Sequence, residues 1–200
     1  MNHCQDRFGE LWDFRNNKKS DIQSIIHCIN LLGDNLVGLE LGIFKADSFM
    51  TVLHNCPNVK LLHGVDLFQP FHDYIKEPYD GTIANTIGYK DIDLAKTIAI
   101  NKIKFSGMQD KTKIYEMDSE EALKYFEPES LDFIFVDTYL TEEQVVQDLE
   151  SWYPIVKTGG LFAGHDYFSS AVSNPVKHFR ESNGITNTMS VFDGCFCWIK

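Results

Sequence analysis

The feature that most restricts this chain is a series of short apolar runs, each followed by a stretch with helical spacing. The runs lie at 36–41, 61–65, 113–117, 133–136 and 161–163. Each is short enough to be a buried strand. Helical patterns fill the intervals at 48–54, 92–105, 120–126 and 142–153. Strands that alternate with helices call for a parallel sheet with right-handed crossovers and helices on both faces. A further helix is expected over 20–32, where Ser20 and Gln23 form a capping box and Ile22, Ile25, Ile26 and Ile29 make one apolar stripe. Thr141 and Gln144 repeat the box ahead of Val145, Val146, Leu149, Trp152 and Tyr153. The tail differs: 188–192 and 195–199 flank Asp193-Gly194, a two-residue hairpin signal. The expected fold is α/β, a three-layer sandwich. Its mostly parallel, seven-stranded sheet carries a C-terminal antiparallel hairpin strand.

The chain has 200 residues, 44% of them hydrophobic, which is enough for one domain with a sizeable core. We read 1–200 as a single domain, with an N-terminal helical segment over 1–34 and a candidate lid insertion over 67–105. Within that insertion Phe68, Phe71, Tyr74, Tyr79 and Tyr89 stand among Pro and Gly, as a loop packed on the core or as a lid. A net charge of −11 argues against a nucleic-acid or anionic-membrane surface, since phosphate needs clustered Lys and Arg. The nearest approach to a cluster, Arg15 with Lys18 and Lys19, reads as a solvated face. Cys4, Cys28, Cys56, Cys195 and Cys197 are odd in number and lack zinc-ligand spacing, which favours a reducing, cytoplasmic setting. Cys195 and Cys197 alternate along a strand and should pack on one side. No stretch approaches the ~20 apolar residues of a membrane span. Association with further copies stays open.

The residues with chemical potential gather at the expected strand ends. The run from Gly38 to Ser48 leaves the first strand and opens a helix, where an open α/β sheet places its ligand. A dinucleotide site would need three glycines there for the pyrophosphate. Counted from Gly42, those positions hold Gly42, Phe44 and Asp47. Phe44 blocks the backbone approach and Asp47 repels phosphate, so a nicotinamide-dependent oxidoreductase is the less favoured reading. S-adenosylmethionine has no phosphate, and a nearby carboxylate suits its cationic end. Asp66 ends the next strand, where an acid can accept from both ribose hydroxyls. Asp118 and Ser119 follow the third strand, suited to the adenine edge or to a helix N-cap, or to both. Asp137 ends the fourth strand and His165-Asp166-Tyr167 follows the fifth. Two carboxylates and an imidazole there can hold a divalent cation or activate a hydroxyl.

Together these residues resemble the class I S-adenosylmethionine-dependent methyltransferases, which have a Rossmann-like fold. More narrowly, they resemble the small-molecule O-methyltransferase branch that includes macrocin O-methyltransferase-like enzymes. The resemblance runs from about Val37 to Tyr167. It is most specific in Phe135-Val136-Asp137, in Asp148-Leu149-Glu150-Ser151-Trp152, and in the run from Lys157 through Gly159-Gly160 to His165-Asp166-Tyr167. It implies Glu40, Gly42 and Ser48 around the methionine part, with Phe44 in the same turn, Asp66 at the ribose, and Asp118 with Ser119 at the adenine. It further implies Asp137 and Asp166 at a divalent metal, magnesium by expectation; from the residues at the strand ends we take His165 as the base, with Asp137 beside it as the second catalytic residue. The implied reaction is methylation of a small-molecule acceptor, at a hydroxyl. The chain departs from the branch at Leu140, Glu142 and Ala46, where His, Tyr and Gly are expected. Those departures keep open a domain that binds the adenosine cofactor without catalysis.

Overall fold

A computed structural model describes residues 4–5, 11–12, 22–68, 92–138 and 141–200. Its main sheet contains β1 (Leu36–Leu41), β2 (Val59–Asp66), β3 (Thr112–Glu116), β4 (Leu131–Val136), β5 (Val156–Gly164), β6 (Ser190–Phe192) and β7 (Cys195–Ile199). The spatial order is β3-β2-β1-β4-β5-β7-β6. Strands β1 to β5 run parallel, while β7 is antiparallel to both β5 and β6. Every run expected to be a strand is one, and the Asp193-Gly194 hairpin closes the sheet as anticipated. Two short segments, Cys4–Gln5 and Leu11–Trp12, pair with each other apart from this sheet.

Period-two alternation divides the core into two. Phe133 and Phe135 of β4 face one side with α1 (Gln23–Leu31), α2 (Asp47–Asn55) and α3 (Ile92–Ser106). Ile134 and Val136 face the other with α4 (Ser119–Ala122), α5 (Glu142–Trp152) and α6 (Ser170–Ser182). Cys195 and Cys197 are both buried in the first core, together with Cys56. The Ile25, Ile26 and Ile29 stripe of α1 is buried there too. Ser20, its expected cap, lies outside the described residues. Thr141 does cap α5, its hydroxyl accepting from the Gln144 N–H at 3.3 Å. Of the candidate lid over 67–105, residues 69–91 lie outside the described residues. Residues 92–106 form α3, whose Ala99 and Ile103 are built into the first core.

Helix α6 was not expected. Pro175 in its interior reads as a breaker, yet Val172, Pro175, Val176 and Phe179 form a buried stripe at helical spacing. Among the described residues no helix is long and apolar enough to cross a membrane.

Candidate active site

The strand order reverses direction at β1, whose neighbours are β2 and β4. A crevice at the carboxyl ends of β1 and β4 follows from that reversal. Gly42 leaves β1 into it with φ +80, and its N–H donates to the Val65 carbonyl at 2.8 Å. A Cβ on Gly42 would lie 2.3 Å from the Asp137 carbonyl oxygen, so no other residue fits this crossing. The Asp137 N–H in turn donates to the Leu41 carbonyl at 2.8 Å.

The turn after Gly42 carries left-handed backbone at Phe44 (φ +44) and at Ala46 (φ +61). A left-handed L-residue costs about 1–2 kcal/mol. At Ala46, which is fully buried, burial of the methyl returns ~0.8 kcal/mol, so alanine can stand where the resembled branch has glycine. Phe44 donates its N–H to Asp66 Oδ2 at 2.8 Å, and Phe68 donates to Oδ1 at 2.7 Å. The Asp66 carboxylate is thereby fixed at the lip of the crevice, with lone pairs remaining on both oxygens. Burial raises its pKa, and the backbone N–H groups draw it back down.

Glu40 lies deeper, 1% exposed. Its Oε1 accepts the Ser48 hydroxyl from the start of α2, and its Oε2 is buried without a hydrogen-bond partner among the described residues. Desolvation raises its pKa well above the ordinary carboxylate value.

On the other flank, Asp118 caps α4 by accepting the Glu120 N–H at 2.8 Å. The Ser119 hydroxyl donates to Asp148 Oδ1 at 2.8 Å.

At the ends of β4 and β5, His165 Nδ1 lies 3.4 Å from Asp137 Oδ1 and 3.2 Å from Asp166 Oδ1. Ligand atoms of all three lie within 4.8 Å of one another. The two carboxylates raise the imidazole to about 10 against a smaller opposing effect of burial. The pair of carboxylates thus favours the protonated imidazole. Asp166 sits at φ +58 with its pKa lowered by His165. Beside the cluster, Phe168 is 80% exposed, and a Cβ on Gly194 would be 3.5 Å from its ring and 3.7 Å from His165 Nε2.

Residues 39–167 match the family model of the methyltransferase domain. The chain belongs to that family. It is a class I S-adenosylmethionine-dependent methyltransferase, and the nicotinamide alternative falls away. In fold the methyltransferase is similar to the O-methyltransferase NovP. The TM-score is 0.61 at 17% identity, over 90% of this chain and 78% of that one. It is also similar to an O-methyltransferase from Bacillus cereus in complex with SAH. There the TM-score is 0.58 at 13% identity, over 88% of this chain and 79% of that one. No curated protein matches the chain.

The methyltransferase brings the expected residues to the carboxyl ends of its strands, Asp118 and Ser119 after β3 and the others in two groups. Glu40, Gly42, Phe44, Ser48 and Asp66 gather around the β1 exit. Asp137, His165 and Asp166 gather at the β4 and β5 ends. Sequence reasoning gave no role to Thr138 or to the Asp148 carboxylate, which the Thr138 hydroxyl approaches at 3.2 Å. A signal was present, because Asp148 falls on the same face of α5 as Val145, Leu149 and Trp152. Leu140 lies outside the described residues.

Proposed function

We propose that this methyltransferase transfers the methyl group of S-adenosylmethionine to a hydroxyl of a small molecule, in the cytoplasm. One observation carries the reading: the Asp137, His165 and Asp166 cluster adjoins the Gly42 turn, where donor and acceptor would meet. Among the described residues Cys28, Cys56, Cys195 and Cys197 form no disulfide, which supports a reducing compartment.

The cofactor fits the residues present. Glu40, with a buried oxygen lacking a partner among the described residues, suits the ammonium of the methionine part. Ser48 orients Glu40, Gly42 and Phe44 shape the turn, and Asp66 would accept from the ribose hydroxyls. Asp118 and the Ser119 N–H would read adenine. A divalent cation also fits, since two carboxylate oxygens and an imidazole nitrogen converge. Asp137 and Asp166 would hold it, and when bound it would lower the pKa of an acceptor hydroxyl. Methyl transfer is a displacement at a carbon already activated by the sulfonium, so it demands mainly alignment of donor and acceptor, which proximity supplies. Asp137, bonded through its N–H to the β1 exit, fixes the distance between the two halves of the site. His165 is placed to hold or take the hydroxyl proton once the charge of its two carboxylates is met by another cation.

Titration calorimetry with S-adenosylmethionine, S-adenosylhomocysteine and NAD tests the cofactor, with binding expected for the first two alone. Formation of S-adenosylhomocysteine from S-adenosylmethionine in the presence of hydroxyl-bearing small molecules, with and without magnesium, tests the acceptor. Loss of that release in Asp137→Asn with cofactor binding intact is expected. Unchanged release in Asp137→Asn and His165→Ala would remove the cluster from the mechanism.

A further inference from the structure

Asp148 is a carboxylate only 2% exposed, on a helix face otherwise made of Val145, Leu149 and Trp152. A buried charge of this kind is costly unless it is fully hydrogen-bonded, and an apolar residue of similar size would pack at least as well. Its bonds are therefore informative. Oδ1 accepts the Ser119 hydroxyl at 2.8 Å and the Gln144 amide at 3.3 Å, while Oδ2 accepts the Thr138 hydroxyl at 3.2 Å. Ser119 directly follows Asp118 after β3, and Thr138 directly follows Asp137 after β4. One side chain on α5 thus ties down two loops that approach the crevice from different strands. Each hydroxyl gives its single proton to Asp148, which leaves neither as a donor to a ligand.

We propose that Asp148 is a positioning residue. It holds the Asp118-Ser119 turn at the spacing from the β4 exit that adenine recognition requires. This rests on the cofactor placement proposed above. Asp148 touches no cofactor atom itself. It acts by fixing where the Asp118 carboxylate and the Ser119 N–H point. Releasing Ser119 would leave Asp118 as a helix cap but free the turn to shift, so recognition of the adenine edge should weaken more than overall folding.

The test compares calorimetric affinity for S-adenosylhomocysteine with that for S-inosylhomocysteine, in which a carbonyl replaces the adenine amino group. Wild type should prefer the adenine form by at least ~10-fold. Asp148→Leu should cut that preference to within about 3-fold, and Asp148→Asn, which keeps an acceptor for Ser119, should lose less. Ser119→Ala should do much the same as Asp148→Leu, and Ser119→Ala combined with Asp148→Leu should lose no more than either alone, because the two act as one unit. Thr138→Val should give a smaller loss in the same direction. Should Asp148→Leu fail to fold, Ser119→Ala and Thr138→Val carry the test, since each removes one donor and leaves the carboxylate in place. Folded variants that keep the wild-type preference would overturn the proposal and make Asp148 a core residue only. A wild type that binds neither nucleoside would instead overturn the cofactor placement, and this inference with it.

Discussion

At Glu40 one carboxylate oxygen is satisfied by Ser48 and the other is buried with no partner among the described residues. Desolvation is the largest cause of its raised pKa, and the negative charges of Asp137, Asp66 and Asp47 push the same way. An arriving ammonium would favour the ionised form and pull the pKa down. Near the free protein's pKa, binding should therefore expel a proton, and affinity for S-adenosylhomocysteine should rise with pH until Glu40 is fully ionised. Calorimetry in buffers of different ionisation enthalpy should report that release. Glu40→Gln keeps an acceptor for Ser48 but has no charge to develop, so its binding heat should be independent of buffer and its affinity at least ~10-fold weaker. A wild-type heat that does not vary with buffer would place the ammonium elsewhere.

The pairing of β1 with β4 depends on one small residue. Gly38 lies opposite Phe133, and a Cβ on Gly38 would come within 2.0 Å of the Phe133 ring. Gly38→Ala should destabilise the protein by about 1–3 kcal/mol through overpacking. Adding Phe133→Leu should cost less than the sum of the two single changes, a coupling visible in a denaturant-unfolding cycle. Elements of this kind were legible in the sequence because strand length and face are local properties. Gly38, Leu39, Glu40 and Leu41 show their sides by alternation alone. Asp137, His165 and Asp166 were legible for a related reason, since a residue just past a strand points toward the crevice whatever its neighbours are. Helix α6 was hidden because Pro175 removes one backbone donor and argues locally for a break. The buried stripe through Val172, Val176 and Phe179 overrides that argument only once α5 and the sheet are present. The roles of Thr138 and Asp148 were hidden for the same reason. Their bonds join three elements, and no sequence window contains them.

Across the whole molecule, the sheet separates two cores, and the second core has an acid-sensitive edge. His63 on β2 packs edge-on to Phe126 and near Tyr115, with Nδ1 buried and unpartnered among the described residues. Burial, with Lys113 nearby, lowers its pKa from 6.5 to about 4. Above pH 6.5 both folded and unfolded forms are neutral there, so His63 contributes nothing. Between 6.5 and about 4 the unfolded chain takes up a proton that the folded one refuses, and stability falls as pH falls. The melting temperature should drop through that window, by at most ~1.4 kcal/mol of stability per pH unit from this residue. His63→Phe should flatten the drop. An unchanged pH profile in His63→Phe would assign the acid sensitivity to the carboxylates instead.

The seam between β1 and β4 joins segments far apart in the chain. Next to it, the Val37 N–H donates to Asp132 across 95 positions, at 2.8 Å. Helices such as α3 and α5 need only their own neighbours to start, whereas this seam must wait for a long loop to close. During refolding, ellipticity should therefore recover before any affinity for the nucleoside does. A chain interrupted midway could regain its helices and still be unable to bind, because its cleft exists only as the meeting of two distant halves.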